Sequence, residues 1–550
     1  MTFRPSAARL ASNRDLPRQL LHQITTLTLT IVTLGLSIAS ETCGFCANSR
    51  SVPNIVLILA DDMGFSDLGC YGGEIRTPHL DSLAASGLRF SQFYNCALCG
   101  PSRAALMTGL YPHQVGVFNW TGVLDDRCVT AFELFKAAGY ATCAAGRLDM
   151  VTAENWRDPA SVAKYVDHFL GSLGGQPGPG NYFKAIRDKP FYRDGEPFTL
   201  PDEAYKTDLI TDFAVEFITT AAAGDRPFFL YLSHYAPHWP LHAKPEDIAK
   251  YRRLYRTLGW DALRAGRRQR LVEQGLVDDR CRLAPREPRI PAWQDAANKD
   301  WEAERMAVYA AQVDCLDQGV GRVLDALRRT QADRNTLVIF LSDNGASDQA
   351  WTKPLDEPGR TWLLDGTPTR LGNTPRVWPG PADTFVTAGP AWAAVSNAPF
   401  RGHKATNHEG GIATPCIVWW PPVITQPGAI SHELGHFVDI LATCLDVAGI
   451  AYPTEFHGRS VQPPAGKSLL PIFRGDQHTG HRSLCWATAG CRAVRLGSWK
   501  LVSSKDGPWE LYDLDRDRSE STDLAKHEPE RVRQMAGLFD QWRRRNPTNN

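Results

Sequence analysis

Pro53-Asn54-Ile55-Val56-Leu57-Ile58-Leu59-Ala60-Asp61-Asp62 is a continuous apolar run that ends in two acids. Both faces of its pleat are apolar, the pattern of a strand buried on both sides in a largely parallel sheet. Asn335 to Leu341 repeats the design and ends in Ser342-Asp343-Asn344-Gly345. Tyr140 to Ala145, Pro227 to Leu232 and Pro415 to Trp420 supply further apolar strands. Between them, Ala131 to Gly139, Tyr205 to Ala222, Met306 to Leu327 and His436 to Gly449 carry helical spacing. The expected fold class is therefore α/β, a large mostly parallel sheet flanked by helices. Ligands of such sheets bind outside the carboxyl ends of the strands, where Asp61, Asp62, Asp343 and Asn344 fall. Three carboxylates and an amide oxygen brought together there form a hard-oxygen site suited to Ca²⁺ or Mg²⁺, not zinc. Read separately, each acidic pair also fits a helix cap that needs no metal.

Between the two acid-tipped strands lies Cys96-Ala97-Leu98-Cys99-Gly100-Pro101-Ser102-Arg103, followed by Ala104 to Gly109. Pro101 suits the first turn of a helix, so Cys99 is expected beside a helix N-terminus, where backbone N–H groups and the dipole favour an anion. A cysteine so placed is an activated nucleophile or its precursor. The bland alternatives are a Cys96–Cys99 redox pair or two buried thiols.

Cys99-x-Pro101-Ser102-Arg103, completed by Leu106 and Gly109, resembles the sulfatase signature, and the likeness extends from about Pro53 to Leu524. It implies an alkaline-phosphatase-like fold, hydrolysis of sulfate monoesters, one Ca²⁺ (Mg²⁺ being less suited), and conversion of Cys99 to formylglycine by a formylglycine-generating enzyme. The metal set it implies is Asp61, Asp62, position 99, Asp343 and Asn344. Arg103 is expected to hold the formylglycine hydroxyls. His238, in Ala236-Pro237-His238, and Lys404, in Arg401-Gly402-His403-Lys404, match family positions that bind sulfate and protonate the leaving alcohol. Read without the resemblance, Lys404 fits equally a surface cation near Glu409.

One motif departs. Where the family has Gly-Lys-Trp-His, this chain has Gly146-Arg147-Leu148-Asp149. Arg147 keeps the positive charge but presents a planar fork in place of an ammonium, and Asp149 brings a negative charge and no imidazole. The departure implies impaired activity, with Arg147 retained among the candidate catalytic residues. The competing functions are a phosphodiesterase or phosphonate hydrolase of the same fold, a metal-binding pseudo-sulfatase, and a thiol–disulfide protein using Cys96 and Cys99.

The chain has 550 residues, 60 Lys+Arg against 60 Asp+Glu, and 43% hydrophobic residues. That balance speaks against nucleic acid or an anionic membrane as partner and for a globular protein of more than one core; the substrate expected is a sulfated small molecule or carbohydrate. Arg4, Arg9, Arg14 and Arg18 precede an uncharged run from Ile24 to Ser40, read as a signal peptide over residues 1–39. A periplasmic or secreted protein follows, with no stable membrane span after cleavage; a retained N-terminal anchor is the alternative. Thirteen cysteines permit disulfides in such a compartment. Residues 52–465 read as the catalytic domain. Residues 466–550 read as a smaller subdomain with an antiparallel sheet around Ala493-Val494-Arg495, Trp499-Lys500-Leu501 and Trp509 to Tyr512, closed by a helix over Pro529 to Arg544. The arginine-rich stretch 251–296 is expected to be a solvated helical face, and residues 171–204 a surface insertion. His113 is expected to be structural or rim-lining.

Overall fold

A computed structural model describes residues 52–546, except 120–122, 150, 153–158, 175–179, 185–190, 351–362, 364 and 506. The signal-peptide segment and Cys43 and Cys46 lie outside the described residues. Residues 53–550 form one compact unit.

Strand β1 (Asn54–Ala60) is the centre of the large sheet. The other strands that matter for the site are β2 (Leu88–Tyr94), β3 (Ala141–Arg147), β4 (His168–Ser172), β5 (Phe228–Ser233), β6 (Thr336–Ser342) and β7 (Ala413–Trp419). Their spatial order is β2-β7-β6-β1-β5-β3-β4. The run from β6 to β4 is parallel, whereas β7 runs antiparallel to both β6 and β2. The sheet is thus mixed, mostly parallel, as the doubly apolar strands foretell. Alternate residues of β1 go to opposite cores: Val56, Ile58 and Ala60 to one, Ile55, Leu57 and Leu59 to the other. Each such aliphatic side chain contributes roughly 1.5–3 kcal/mol by leaving water.

Helix α1 (Cys99–Thr108) packs with α2 (Ala131–Ala137) and α3 (Val438–Ala448) on the second core. On the first core lie α4 (Lys206–Ala221), α5 (Arg252–Glu273) and α6 (Lys299–Arg329). The expected solvated face of 251–296 needs correcting at Arg267. This side chain of α5 is fully buried, with Asp67 at 2.6 Å and Glu74 at 2.7 Å. Charge periodicity signals a polar face but not that a loop more than a hundred residues away will close over it. His113 is buried too, stacked on Phe118.

A second sheet of four antiparallel strands, β8 (Ser483–Thr488), β9 (Cys491–Leu496), β10 (Trp499–Ser503) and β11 (Glu510–Asp513), forms by successive hairpins. One face, through Val494, Leu501 and Leu511, meets Met535 and Phe539 of the terminal helix α7 (Pro529–Arg545). Its other face, through Leu484, Trp486 and Val502, joins the first core of the large sheet. The eleven described cysteines are all buried thiols, Cys96 and Cys99 among them.

Candidate active site

Sheet register builds the centre of the site. Ala60 pairs with Ser342 and Leu59 with Ser233, so the residues just beyond β1, β5 and β6 emerge side by side. The Asp343 N–H donates to Ala60 O at 3.1 Å, and the Asp62 N–H donates to Asp343 Oδ1 at 3.1 Å. Asp62 takes a left-handed φ of 63°, a conformation with a cost of order 1–3 kcal/mol in a non-glycine residue. Cys99 opens α1, with Leu98 as its cap and Gly109 (φ 67°) ending the helix. Four groups converge: Asp61, Asp62, Cys99 and His238 each offer an atom within 4.8 Å of all the others, and all four residues are buried.

Acceptors are in excess here. Asp61 Oδ1, Asp62 Oδ2 and Asn344 Oδ1 are buried with no hydrogen-bond partner. His238 Nδ1 donates to Trp239 O at 2.7 Å, which leaves the lone pair of a neutral ring on Nε2, facing Asp62 Oδ2 at 3.5 Å. Burial, opposed by Asp62, pulls the His238 pKa down to about 4. Buried acceptors facing one another are costly unless a proton or cation lies between them. The donor set fits a hard divalent cation on that ground.

Cations line the other side. Lys404, 3% exposed, ion-pairs with Asp62 Oδ1 and lies 3.1 Å from Cys99 Sγ. It is therefore not the surface cation that a sequence reading allows. Arg147 pairs with Asp61 through Nη1 and with Asp149 Oδ2 through Nη2 at 2.6 Å. The extra negative charge of Asp149 is thereby met by Arg147. Gly146, just before it, has φ 105°, and a Cβ there would sit 1.8 Å from Ser233 O; only glycine lets β3 approach β5 so closely.

Arg103, one turn along α1 from Cys99, is fully buried among the acids. Its Nε and Nη2 donate to Asp343 Oδ2 at 3.0 and 2.7 Å, Nη2 lies 3.3 Å from Asp61 Oδ2, and Nη1 donates to Arg147 O at 2.7 Å and to Ser233 Oγ. All three nitrogens are engaged, so the guanidinium braces the acids. Asp343 is accordingly held by Arg103 beside the four converging groups, while Asn344 Nδ2 donates to Asp62 Oδ1 at 2.6 Å.

Charge separates the two outer acids. Burial would raise Asp61, but Arg147, His238, Arg103 and Lys404 together hold it well below the usual carboxylate range. Burial and then the neighbouring Asp61 push Asp343 up. Burial also pushes the Cys99 thiol up to about 12, against Lys404 and Arg147. The side chain at 99 is thus a protonated thiol at neutral pH and, as cysteine, a poor nucleophile.

Two participants escaped the sequence reading. Ser233, one residue past the apolar run Pro227 to Leu232, receives Arg103; its pairing opposite Leu59 and Gly146 is the signal. Tyr309, an apolar-stripe position of α6, donates to Asp67 Oδ2 at 2.7 Å and lies 3.3 Å from Asp62 O.

Comparison with known proteins agrees with this geometry. The Sulfatase family model matches residues 53–450, and that of the N-sulphoglucosamine sulphohydrolase C-terminal region matches residues 403–541. An uncharacterized sulfatase of Schizosaccharomyces pombe is 32% identical, over 89% of this chain and 92% of its own. An arylsulfatase of Klebsiella aerogenes is 31% identical, over 78% and 94%. Among solved structures, Ps i-CgsB in complex with k-i-k-neocarrahexaose superposes with a TM-score of 0.66 at 25% identity, over 90% of this chain and 94% of that one. The mixed sheet with acids at its strand ends, the cysteine that opens α1 beside them, and these matches have one reading: the chain belongs to the sulfatase family and is a sulfuric ester hydrolase.

Proposed function

We propose that this chain is an exported hydrolase of sulfate monoesters in which Cys99 is converted to formylglycine and one divalent cation, Ca²⁺ in preference to Mg²⁺, is bound. The observation that carries the reading is the convergence of unpartnered buried acceptors on Cys99, with Lys404 3.1 Å from its sulfur. Asp61, Asp62, Asp343 and Asn344, with the side chain at 99, would hold the cation. Bound there, it supplies positive charge to offset repulsion between an anionic ester and an oxygen nucleophile, and formylglycine, as its hydrate, supplies that nucleophile.

The chain's own residues do the rest. Lys404 presents its ammonium to a sulfate oxygen at position 99 and stabilises charge that grows during S–O cleavage. Its acidic neighbours keep it protonated: desolvation alone would lower its pKa, but Asp62, Cys99 and Asp61 outweigh that and raise it. His238, fixed through Nδ1 by Trp239 O, points the lone pair of Nε2 into the site, where it is the candidate to take the proton that the attacking hydroxyl gives up and pass it to the leaving alcohol. Arg103 acts indirectly, by bracing Asp61 and Asp343.

Arg147 also faces the site, yet both ends of its fork are already engaged by Asp61 and Asp149. That pairing favours a lowered turnover and gives a specific basis to the second reading, a metal-binding pseudo-sulfatase. For the substrate, the neocarrahexaose held by Ps i-CgsB supports a carbohydrate ester, and the arylsulfatase relative a small aryl ester. Among the described residues no helix is long and apolar enough to cross a membrane; export rests on the N-terminal sequence.

Two measurements test this. Mass spectrometry of the tryptic-type peptide that contains position 99, after expression with a formylglycine-generating enzyme, is expected to show the aldehyde. Matched aryl sulfate and aryl phosphate assays, with and without chelator, are expected to show chelator-sensitive sulfate release. Turnover of the phosphate alone would overturn the sulfatase reading, and sulfate binding without turnover would select the pseudo-enzyme.

A further inference from the structure

The loop that carries Lys404 is not held by the large sheet alone. Residues 397–412 run as a strap from the end of one helix to β7; the Lys404 N–H donates to Ala346 O, just past β6, at 3.1 Å, and a further set of polar anchors comes from the small sheet, about a hundred residues on. Arg401 Nη1 donates to Glu510 Oε2 and to Tyr512 OH, each at 2.8 Å. His408 Nε2 lies 3.3 Å from the same carboxylate. The Cys491 thiol lies 3.5 Å from Ala405 O.

At the centre of the strap is Glu409, fully buried. Its Oε1 accepts from Lys500 Nζ at 2.9 Å; its Oε2 accepts from Arg518 Nε at 2.9 Å and from Tyr94 OH at 2.8 Å. Its backbone N–H donates to Glu520 Oε2 at 2.7 Å, and Lys500 also reaches Glu520 Oε1 at 2.8 Å. Lys500, on β10, and Glu520 are themselves buried. Such a group of charges is worth little as bulk stability compared with a packed apolar core, but it fixes geometry, because every alternative position leaves a buried ion unpaired. Between this anchor and Lys404 lie only four residues, with Ala405 in a left-handed conformation (φ 67°) and its N–H donating to Ala97 O at 2.9 Å. A displacement of Glu409 therefore has little slack to be absorbed in before it reaches Lys404.

We propose that Lys500 of the small sheet is a positioning residue for catalysis: by holding Glu409 it fixes the strap that places the Lys404 ammonium beside position 99. The small sheet is then a working part of the active site and not merely a covering for one edge of the large sheet. The inference rests on the assignment of Lys404 to catalysis made above.

A double-mutant cycle tests it, with Lys500→Met and Lys404→Ala alone and together, on the formylglycine-bearing enzyme with an aryl sulfate. In the native background Lys500→Met is expected to lower kcat by about 10–100-fold, the usual cost of a misplacement near 1 Å, with a smaller change in KM. In the Lys404→Ala background the same change is expected to cost less than about threefold, because two residues that act through one contact do not add. Equal losses in both backgrounds, or no loss in either, would overturn the proposal. Lys500→Arg, which keeps the charge, is expected to recover part of the rate. If Lys500→Met does not fold, Glu409→Gln takes its place in the cycle. A crystal structure of the variant reads the same point without any assay: the strap is expected to move and Lys404 Nζ to leave Cys99. A strap that stays in place sinks the proposal even if the wild type proves to be no sulfatase, whereas an inactive wild type with a displaced strap in the variant tells against the proposed activity alone.

Discussion

The two sides of the site are built in opposite ways. The acidic side, Asp61, Asp62, Asp343 and Asn344, is placed by backbone pairing of neighbouring parallel strands, with Ala60 set against Ser342. The cationic side at Lys404 is placed by a loop with anchors, Glu510 and Lys500, in another sheet and a third, Arg518, just past that sheet's last strand. A ladder of backbone hydrogen bonds cannot shift by one residue without turning every side chain to the wrong core. A strap can shift by fractions of an ångström without unfolding anything. The acidic side should therefore tolerate little and fail in stability as well as activity, while the cationic side should fail in activity first.

The largest effects are expected at position 99, between the two sides, and on the acidic side. Cys99→Ala removes the proposed nucleophile precursor, and turnover should drop by about 10³-fold or more, the scale on which members of a catalytic unit act, while the thermal midpoint changes little. Asp61→Ala should abolish turnover and also destabilise, by about 3–5 kcal/mol, since Arg147 and Arg103 lose a buried partner. Urea melts of the two variants check the split: equal stabilities would mean that Asp61 is not the keystone of the charge cluster.

Next in size is Lys404→Ala. Loss of one preorganised charge at the reacting group should cost about 10²–10³-fold in kcat, with a smaller loss of stability than Asp61→Ala, because Asp62 Oδ1 keeps its hydrogen bond from Asn344 Nδ2. A large loss of stability would place the lysine on the same footing as the acids and erase the contrast between the two sides. Smaller still is the joint change Arg147→Lys with Asp149→His. It restores the family's residue types at a place where Arg147 is now held by Asp61 and Asp149, and it should raise turnover about tenfold, the scale of one charge-assisted hydrogen bond made available to the substrate. No gain in a correctly matured protein would remove the case for impairment.

The same contrast explains what could be read from the chain. Ile55 to Ala60 and Leu337 to Leu341 announce themselves because a strand buried on both faces must be apolar at every position, and the acids that follow are then fixed at the sheet edge. Strand β2 is harder to see: Arg89, Ser91 and Gln92 interrupt Leu88, Phe90 and Phe93, and its place beside β7 is set by antiparallel pairing far along the chain. The position of Arg103 was out of reach for another reason. Helical spacing gives its direction from Cys99, but only the meeting of β1, β5 and β6 shows that Asp343 and Ser233 would capture it. Glu409 looked like an ordinary acid near Lys404, and nothing local pointed to Lys500 as its partner.

The smallest expected effect lies outside both sides and separates general acid lability from failure of the site. His234, just past β5, is buried with both ring nitrogens unpartnered, and burial, with Arg322 adding to it, pulls its pKa down to about 3. His436 is likewise pulled down to about 3 by burial, with Asp439 opposing. In the folded protein both rings stay neutral across the range where the unfolded chain binds protons, so their contribution is complete above about pH 6.5 and is lost as pH falls toward 3. At pH 5.5 each should remove about 1.4 kcal/mol of stability relative to neutral pH. His234→Phe deletes one such group without leaving a hydrogen bond unmade, and the difference between urea-derived stabilities at pH 7.5 and 5.5 should shrink by about that amount. An unchanged difference would mean that the ring takes up its proton inside the fold, and that acid lability must then be sought among the charges around Asp61.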